Sequence, residues 1–505
     1  MRHRSSFRRL TDHWVVAAAV VLGVVAIVTP AQAESIMEAL KSAYLANPQI
    51  DAERATLRAT DEGVPQARAG YRPTVTGTAD AGVQSVKTDP GSPADGETHP
   101  HGYKVTATQP LYSGGQVLNG VRVAEAKVRS ERENLRIVEM QVLLSAATAY
   151  MNVVRDRSLL RLQENNVKVL AETLRSTQER FNVGEVTRTD VAQAQASLEA
   201  SKAQLETAKA NLKNDAATYE QVITHPPGAL TEPRPLDSLV PRSLSEGLRT
   251  GEQENPNVII ALYNEESARY AVDQLRGQLL PQISLQGSYQ QRFDPSRATE
   301  SQETVLVQGL LTVPLYAAGG LDAQIRAAKH NHVSTLQKIE QSRLLVQANV
   351  QQAWANLMSA RASVLSNQVQ VQAAQTALTG VRAEERAGQR TLLDVLNAEQ
   401  ALLTAQSQLV TTRAALVVST YALLQAVGRL SPDTLGLGVL VYDAEAHYHE
   451  VRHKAWGTTI TPVGGRLGPV EEAAQVLAPI GALSSERGVS APPPGWAATI
   501  RHGGD

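Results

Sequence analysis

The motif Pro-Leu-Tyr followed by two glycines occurs twice in the chain, as Pro-Leu-Tyr-Ser-Gly-Gly at residues 110–115 and as Pro-Leu-Tyr-Ala-Ala-Gly-Gly at residues 314–320. Before each copy the residues alternate between apolar and polar, and after each copy a long stretch contains no proline. Alternation with a period of two predicts a β-strand, and a long stretch without proline favours a helix. The motif therefore marks a strand-to-helix junction, and its recurrence indicates one unit written twice.

Other landmarks repeat in the same order at a nearly constant offset. The pair Asn-Pro at residues 47–48 recurs 208 residues later at residues 255–256. Such self-similarity predicts a tandem duplication of a unit of about 200 residues. The predicted organisation is a signal peptide at residues 1–33, a first repeat at 34–223, a proline-rich linker at 224–244, a second repeat at 245–428 and a flexible C-terminal tail at 429–505.

The N-terminus has the three parts of a secretory signal peptide. Four arginines stand within the first nine residues, an apolar run covers residues 14–28, and Ala31-Gln32-Ala33 supplies the small residues that a signal peptidase reads. We therefore predict export with cleavage after Ala33, and an uncleaved N-terminal anchor is the alternative. No later apolar stretch reaches 18 residues, so we expect no transmembrane helix in the mature chain.

The composition excludes several classes of protein. The chain has no cysteine, which excludes a disulfide framework, a thiolate metal site and a lipid attached to an N-terminal cysteine. Its formal net charge of −2 argues against nucleic-acid binding, which needs a basic surface. Aromatic residues make up only 4% of the chain, which favours long, closely packed helices over a thick globular core.

Four stretches of sequence alternate between an apolar and a polar face. In the first of them Val75 and Ala79 share one face, whereas Thr76 and Thr78 share the other. The stretches have the length of membrane-spanning β-strands, which is about 10 residues. A soluble four-stranded sheet beneath a layer of helices is the alternative. The four predicted strands are residues 71–86, 102–112, 280–293 and 304–316.

Between the strand pairs the chain is predicted to be helical. Residues 113–180 and 321–383 would form rods of about 100 Å at a rise of about 1.5 Å per residue. Residues 188–223 and 390–428 would return along them as shorter helices. Their many Ala, Ser and Gln residues permit close approach and leave wide polar faces, which is typical of a wall of helices with water on both sides.

A short turn interrupts each helical stretch. Gly184 and Gly388, which stand 204 residues apart, can each end a helix in a left-handed conformation. Each glycine is followed by the pattern Thr-x-x-Asp, which predicts a capping box for the next helix. The two boxes are Thr187 with Asp190 and Thr391 with Asp394.

The two aspartates of these turns have two interpretations. Asp190 and Asp394 either only cap their helices, or they also form rings of carboxylates at a constriction of a symmetric assembly. Rings of this kind would favour cations. Arg390 has an acidic partner available in Asp190 of a neighbouring hairpin, and that bond would hold a constriction closed.

Other chemistry is sparse. Three His-x-His pairs are candidate metal ligands, but only the last pair has a further histidine, His453, nearby. The sequence contains no phosphate-binding loop, nucleophile elbow or paired catalytic carboxylates. We therefore expect no cofactor, no metal and no enzymatic activity. The three pairs are His99 with His101, His330 with His332, and His447 with His449.

Four strands are too few to close a membrane barrel, because bacterial barrels have about eight or more. Open strand edges cannot face lipid, since their unpaired N–H and C=O groups cost several kcal/mol each. If the predicted strands span a membrane, several chains must share one barrel. Three copies would supply twelve strands.

The duplicated unit, the Pro-Leu-Tyr-x-Gly-Gly junction and the turn Gly-x-x-Thr-x-x-Asp-Val resemble the TolC family of outer-membrane channel proteins over residues 35–430. The resemblance implies an α+β membrane protein: a homotrimer with a 12-stranded β-barrel in the outer membrane of a Gram-negative bacterium, continued by a long α-helical barrel in the periplasm. It also implies a periplasmic adaptor and an inner-membrane ABC or RND pump as partners. Because the pump supplies the energy, the channel itself would not be an enzyme.

The resemblance also assigns roles to residues at the turns. Asp394 matches the first ring aspartate of the family, and Asn397 stands where some members place a second. Arg390 matches the arginine that links neighbouring subunits, and Asp190 matches its acidic partner. Glu385 occupies a position that is a tyrosine in well-known members, so this contact is expected to differ.

The transported substrate has two interpretations. The sequence around residues 47–48 and 59–62 is similar to the type I secretion branch of the family, and the lack of cysteine separates the chain from the lipoprotein drug-efflux branch. Type I protein secretion is therefore favoured, with multidrug efflux as the alternative. A periplasmic coiled-coil adaptor is the alternative of another class, but it would not contain four short amphipathic strands in a twofold repeat.

Overall fold

The computed structural model describes residues 33–93 and 95–460. Most of these residues are helical: four long helices form two hairpins, and shorter helices pack beside them. The predicted signal peptide up to residue 32 and the predicted tail after residue 460 lie outside the described residues. The helices are α1 (Ile36–Ala46), α2 (Pro48–Asp61), α3 (Gly63–Arg68), α4 (Gln116–Asn182), α5 (Arg188–Ile223), α6 (Leu244–Glu254), α7 (Pro256–Arg276), α8 (Gly320–Arg386), α9 (Leu392–Ala426), α10 (Pro432–Leu435) and α11 (Ala446–Val451).

Each half of the chain contributes one long helical hairpin. Helices α4 and α8 have 67 residues each, which corresponds to about 100 Å of helix. Helices α5 and α9 run back along them, and the bounds of all four lie close to the stretches predicted to be helical. Neither long helix contains a proline, so the backbone hydrogen bonding is uninterrupted from end to end.

A four-stranded antiparallel sheet lies at the ends of α4 and α8 from which these helices start. The strands pair in the order β1-β4-β5-β6, and two short strands, β2 and β3, pair separately with each other. All four connections to helices leave the same end of the sheet, and the strand-to-strand connections lie at the other end. The strands are β1 (Thr74–Ala81), β2 (Gln84–Val86), β3 (Gly96–Thr98), β4 (His101–Tyr112), β5 (Gln282–Ser296) and β6 (Thr299–Thr312).

The register of the sheet places the predicted apolar and polar residues on opposite faces. Residues paired across all four strands form rows, and neighbouring rows point to opposite sides because the side-chain period is two. Every residue of the edge strands β1 and β6 is exposed in the single chain. One apolar row is Val75, Ala107, Gly287 and Val307, and the polar row beside it is Thr74, Thr108, Gln286 and Gln308.

Several predicted strand bounds were wrong. The first strand ends at Ala81 rather than five residues later. Gly82 still donates its N–H to the carbonyl of Pro100, but Pro100 has no N–H to donate in return, and the chain then enters the separate β2–β3 ribbon. The fourth strand ends at Thr312 and does not reach Tyr316, since Pro314 has no N–H to give to the ladder. At the opposite end, β5 and β6 are longer than predicted and only residues 297–298 separate them.

The main hydrophobic core surrounds the middle of the long helices, where α1 and α2 pack against α4. The repeated Asn-Pro pairs have the same structural role in both halves. The side-chain oxygens of Asn47 and Asn255 each accept a hydrogen bond from the N–H two residues later, at 2.9 Å, and so cap α2 and α7. Their Nδ2 atoms donate to the carbonyls of Val222 and Ala426, at 2.9 and 2.8 Å, which joins each short helix to the end of a returning helix.

Residues 429–454 are held against the rest of the chain, so the prediction of a flexible tail was wrong for this segment. Leu430, Leu435 and Leu437 are buried in the main core. Their spacing follows neither the strand nor the helix period because most of the segment is irregular structure, with only the short helices α10 and α11. This explains why the sequence pattern did not reveal the packing.

Helices α4 and α9 are each long enough to cross a membrane and contain an 18-residue window that is apolar enough to do so. The sequence prediction of no such helix counted only uninterrupted apolar stretches and therefore missed both windows. Inside the chain 56% and 44% of these windows are buried. About half of each window is therefore covered by other parts of the chain, which accounts for part of its apolar composition.

Candidate functional site

Tight turns close the two helical hairpins at the end of α4 and α8 that is farther from the sheet. Gly184 and Gly388 have φ angles of 79° and 75°, which is the left-handed region that favours glycine. In the first turn the N–H of Glu185 donates to the carbonyl of Arg180 at 2.9 Å, and the second turn repeats this bond. These bonds satisfy the last carbonyls of the helix and reverse the chain within a few residues.

Asp190 and Asp394 cap the helices that follow the turns. Asp190 accepts hydrogen bonds from the backbone N–H and the hydroxyl of Thr187, at 2.8 and 2.7 Å. Asp394 does the same with Thr391, at 3.1 and 2.8 Å. These bonds hold the pKa of both carboxyls below the ordinary value, mainly through the Thr187 hydroxyl for Asp190 and through the Thr391 backbone for Asp394. The capping interpretation is therefore satisfied within one chain.

Thr187→Ala is expected to loosen the first turn without unfolding the chain. Loss of the cap costs about 1 kcal/mol, so we expect amide hydrogen exchange at the start of α5 to rise about fivefold. The pKa of Asp190 is lowered in the folded turn, so its carboxylate stabilises the turn fully above the ordinary pKa of about 3.9. This stabilisation is lost as the pH falls through the lowered pKa. Thr189→Ala, one exposed position beyond the start of α5, is the matched control, and equal effects of the two substitutions would contradict the cap.

Arg390 binds acidic residues of its own hairpin. Its Nε donates to Glu384 at 3.0 Å, and its Nη1 lies 4.0 Å from Asp394. Among the ion pairs of the residues described, none joins Arg390 to Asp190 of the same chain. The predicted bond between them connects two chains and stays a prediction. Asn397 is exposed on α9, one turn after Asp394.

Arg180, which the sequence analysis missed, ties the two hairpins together. Its Nη1 donates to Glu385 at 2.6 Å, and its Nη2 lies 2.9 Å from Glu185. The side chain of Glu385 is only 16% exposed, and both acidic partners raise the pKa of Arg180. A cation of the first hairpin therefore holds Glu385 of the second. Alignment of the repeats gives no signal for this pair, because the position 204 residues after Arg180 is Glu384, which binds Arg390, and not Glu385.

A small apolar cluster fixes the hairpins behind the turns. Leu170 of α4, Leu198 of α5 and Leu396 of α9 are buried against one another. Nearby, Arg382 donates to the buried carboxylate of Glu399 at 2.8 Å and joins α8 to α9. The charged residues at the turns are thus carried by packed helices, and their relative positions are set by this cluster.

The histidine pairs serve structural contacts. His332 lies 2.6 Å from a glutamate of α7, and His447 lies 3.0 Å from the buried carboxylate of Asp61. His101 stacks on the ring of Phe293. Within residues 33–93 and 95–460, no group of three or more His, Asp or Glu side chains is placed to hold a metal ion.

A two-faced sheet at one end of long helical hairpins, with charged turns at the other end, is the architecture expected of an outer-membrane channel protein. The family model described as "Outer membrane efflux protein" matches residues 39–223 and 249–429, one segment in each half. The chain belongs to this family, and it is an outer-membrane protein. The family consists of channel proteins and not of enzymes.

Several known proteins are similar to the chain. Outer membrane efflux protein BepC of Brucella suis is 37% identical over 89% of this chain and 97% of its own length. Outer membrane protein TolC of Escherichia coli is 23% identical over 80% and 84%, and the alkaline protease secretion protein AprF of Pseudomonas aeruginosa is 28% identical over 57% and 60%. The solved structure of the Campylobacter jejuni CmeC outer membrane channel shares the fold, with a TM-score of 0.68 and 17% identity over 83% of this chain and 89% of that one. The predicted TolC-family membership is confirmed.

Proposed function

We propose that three copies of the chain form one channel with a shared 12-stranded β-barrel. The proposal depends above all on the edges of the sheet: β1 and β6 are fully exposed, and they run in opposite directions. β1 of one copy can therefore pair with β6 of the next as an antiparallel strand, like every other pair in the sheet. Closure satisfies the edges, which lipid would not tolerate unpaired, and twelve strands lie within the even-numbered range of bacterial barrels.

In this assembly the apolar row through Val75 and Val307 faces lipid, and the polar row through Gln286 and Gln308 faces the lumen. The helical hairpins continue the barrel as a tube in the periplasm. We further propose that the two halves arose by tandem duplication. The equal length of α4 and α8 and the two matching capping boxes support this origin.

The periplasmic turns form the constriction of the proposed channel. Three copies would bring three Asp394 carboxylates together near the axis, with Asn397 as a neutral layer one turn later. Arg390 would exchange its contact with Glu384 for Asp190 of the neighbouring copy, and Arg180 would hold Glu385 within each copy. One ring of carboxylates favours cations. Because the second layer is neutral, cations would block this channel less strongly than a channel with two rings of carboxylates.

The channel would be the exit duct of a tripartite export system, receiving substrate from an inner-membrane pump through a periplasmic adaptor. We favour type I protein secretion with an ABC pump, and similarity to AprF, an alkaline protease secretion protein, supports this choice. Multidrug efflux with an RND pump is the alternative, and the similarity to the efflux protein BepC favours it.

Trimer formation is tested by fractionation and electrophoresis. The full chain is expected in the outer-membrane fraction as a band near three times the mature mass, which collapses to the monomer on boiling. The physical reason is that a closed barrel has no frayed edge from which detergent could open it. Recovery as a monomer from the soluble periplasm would contradict the channel and favour the coiled-coil adaptor.

The substrate class is tested by deletion of the gene in its own host and restoration on a plasmid. Type I secretion predicts that specific proteins disappear from the culture supernatant while drug susceptibility is unchanged. Multidrug efflux predicts that drug susceptibility rises while the proteins in the culture supernatant are unchanged. Neighbouring genes for an ABC transporter and an adaptor, or for a proton-driven pump, provide an independent comparison.

A further inference from the structure

The C-terminal segment, residues 429–460, follows the helical body from the main core to the base of the sheet, and its last six residues are exposed. We call it the C-terminal strap. Along its course Glu445 pairs with Arg132 at 2.6 Å, and His447 lies 3.0 Å from Asp61. At its end the guanidinium group of Arg72 donates to two backbone carbonyls of the strap, at 2.9 and 3.1 Å. Since Arg72 stands two residues before β1, the strap ends where the helical body meets the sheet.

Positive charge is concentrated at this end of the strap. His453 lies 3.0 Å from the guanidinium of Arg68, and its pKa is lowered by desolvation and then by the charges of Arg68, Arg452 and Arg72. Within the described ranges, Glu125 is the only carboxylate at ion-pair distance from these three arginines, at 3.9 Å from Arg68. Arg68 contacts the imidazole of His453, Arg72 contacts its carbonyl, and Arg452 precedes it in the chain. These three positive charges exceed the two nearby carboxylates, which are Glu125 and, in the wall of the neighbouring cavity, Glu62, and the excess attracts an anion.

A cavity and an exposed indole lie beside the charged cluster. The cavity has a volume of about 840 Å³ between α2, α3 and the end of the strap, and its wall is mostly apolar around Pro65 and Ala69. Arg72 lines it together with Trp456, which is 91% exposed. Tyr71 and Tyr112 are about half-exposed at the same end of the sheet. An apolar hollow with a basic edge and an exposed Trp matches the two-part chemistry of a lipid at a membrane surface.

The geometry points to a binding site for an anionic phospholipid of the periplasmic leaflet, with the phosphate on Arg68, Arg72 and Arg452 and the acyl region beside Trp456. The site rests on the proposed function in one respect, because the barrel sets the level of the membrane. The helix-connected end of the sheet would lie at the periplasmic surface, and the cluster lies at this end. A free phosphate would use the arginines but would have no use for the apolar wall or the indole.

Native mass spectrometry of the full chain in detergent tests the site, with phosphatidylglycerol, phosphatidylethanolamine and inorganic phosphate as probes. Wild type is expected to bind phosphatidylglycerol, and the double variant Arg68→Gln with Arg452→Gln to bind it about thirtyfold more weakly, from about 1 kcal/mol per arginine. The corresponding double lysine variant should keep most of the affinity. Arg175→Gln, an exposed arginine on α4 paired with Glu172, is the matched control. The proposal would be wrong if phosphatidylethanolamine bound as tightly as phosphatidylglycerol, or if Arg175→Gln lost as much affinity for phosphatidylglycerol as the double glutamine variant.

Two further measurements separate the sources of the phosphate and the two proposals. If inorganic phosphate displaced the lipid at equal concentration, the site would be a phosphate site, and the proposal of a lipid site would be wrong. Phospholipids with a quencher on the acyl chain should quench the fluorescence of wild type more than that of Trp456→Phe, and equal quenching would place Trp456 away from lipid. Conductance in a planar bilayer tests the channel function separately from lipid binding. The double glutamine variant is expected to conduct as wild type does. A wild-type protein that binds lipid but never conducts would contradict the channel function and would not contradict the lipid site.

Discussion

Val307→Arg is expected to abolish the stable outer-membrane trimer. Val307 lies near the middle of β6 on the apolar face, directly opposite Gly287, and is 72% exposed in the single chain. In the proposed barrel it faces lipid, where an arginine at the midplane costs about 2–4 kcal/mol. Three copies repeat this cost, so one channel loses about 6–12 kcal/mol, which equals the stability of a typical domain. The measurement is the amount of heat-modifiable trimer in the outer-membrane fraction.

Gln308→Arg is the matched control for this substitution. Gln308 is the next residue of the same strand, and its Nε2 donates to Gln286 at 2.9 Å on the polar face. An arginine there would enter the water-filled lumen, so the trimer is expected to persist with an altered ion preference. A trimer lost only with Gln308→Arg would mean that the two faces are reversed. If both variants assembled as wild type does, the sheet would not lie in lipid, and this result would favour the alternative of a soluble four-stranded sheet.

The long elements could be predicted from the sequence because their patterns are local. Alternation within β1 and β4 and the absence of proline from α4 and α8 are each visible in a single stretch of chain. The same holds for the turns, since Gly184 and the Thr187 capping box are encoded within a few residues. For these elements local preference and final structure agree.

The features that could not be predicted depend on contacts between distant parts of the chain. Arg180 and Glu385 are 205 residues apart and meet only because the two hairpins pack side by side. The strap was missed because Leu430 and Leu437 belong to a core that also contains residues of α1 and α4, hundreds of residues earlier in the chain. The ring of Asp394 and the seam between β1 and β6 depend on other copies of the chain, so they are proposals even with the fold in hand.

Arg180→Ala and Arg390→Ala are expected to raise the conductance of the channel in a planar bilayer. Both arginines bind acidic residues at the turns, and in the closed assembly each would form three equivalent bonds. Partly exposed pairs of this kind contribute about 0.5–1 kcal/mol each. Where opening breaks all three, their loss shifts the ratio of open to closed channels about tenfold to more than a hundredfold. Arg175→Ala removes an arginine whose exposed partner Glu172 lies on the same helix, and it should leave conductance unchanged.

The acidic partners distinguish a bond within the chain from a bond between chains. Glu385→Gln should reproduce Arg180→Ala, since the Arg180–Glu385 bond is present in one chain. Asp190→Asn should reproduce Arg390→Ala only if Asp190 meets Arg390 of a neighbouring copy. Asparagine is chosen over alanine because its side-chain oxygen can still cap α5, so the substitution removes the charge and keeps the turn. An effect of Arg390→Ala without one of Asp190→Asn would assign Arg390 to Glu384 of its own hairpin, and unchanged conductance in both arginine variants would show that neither bond holds the closed state.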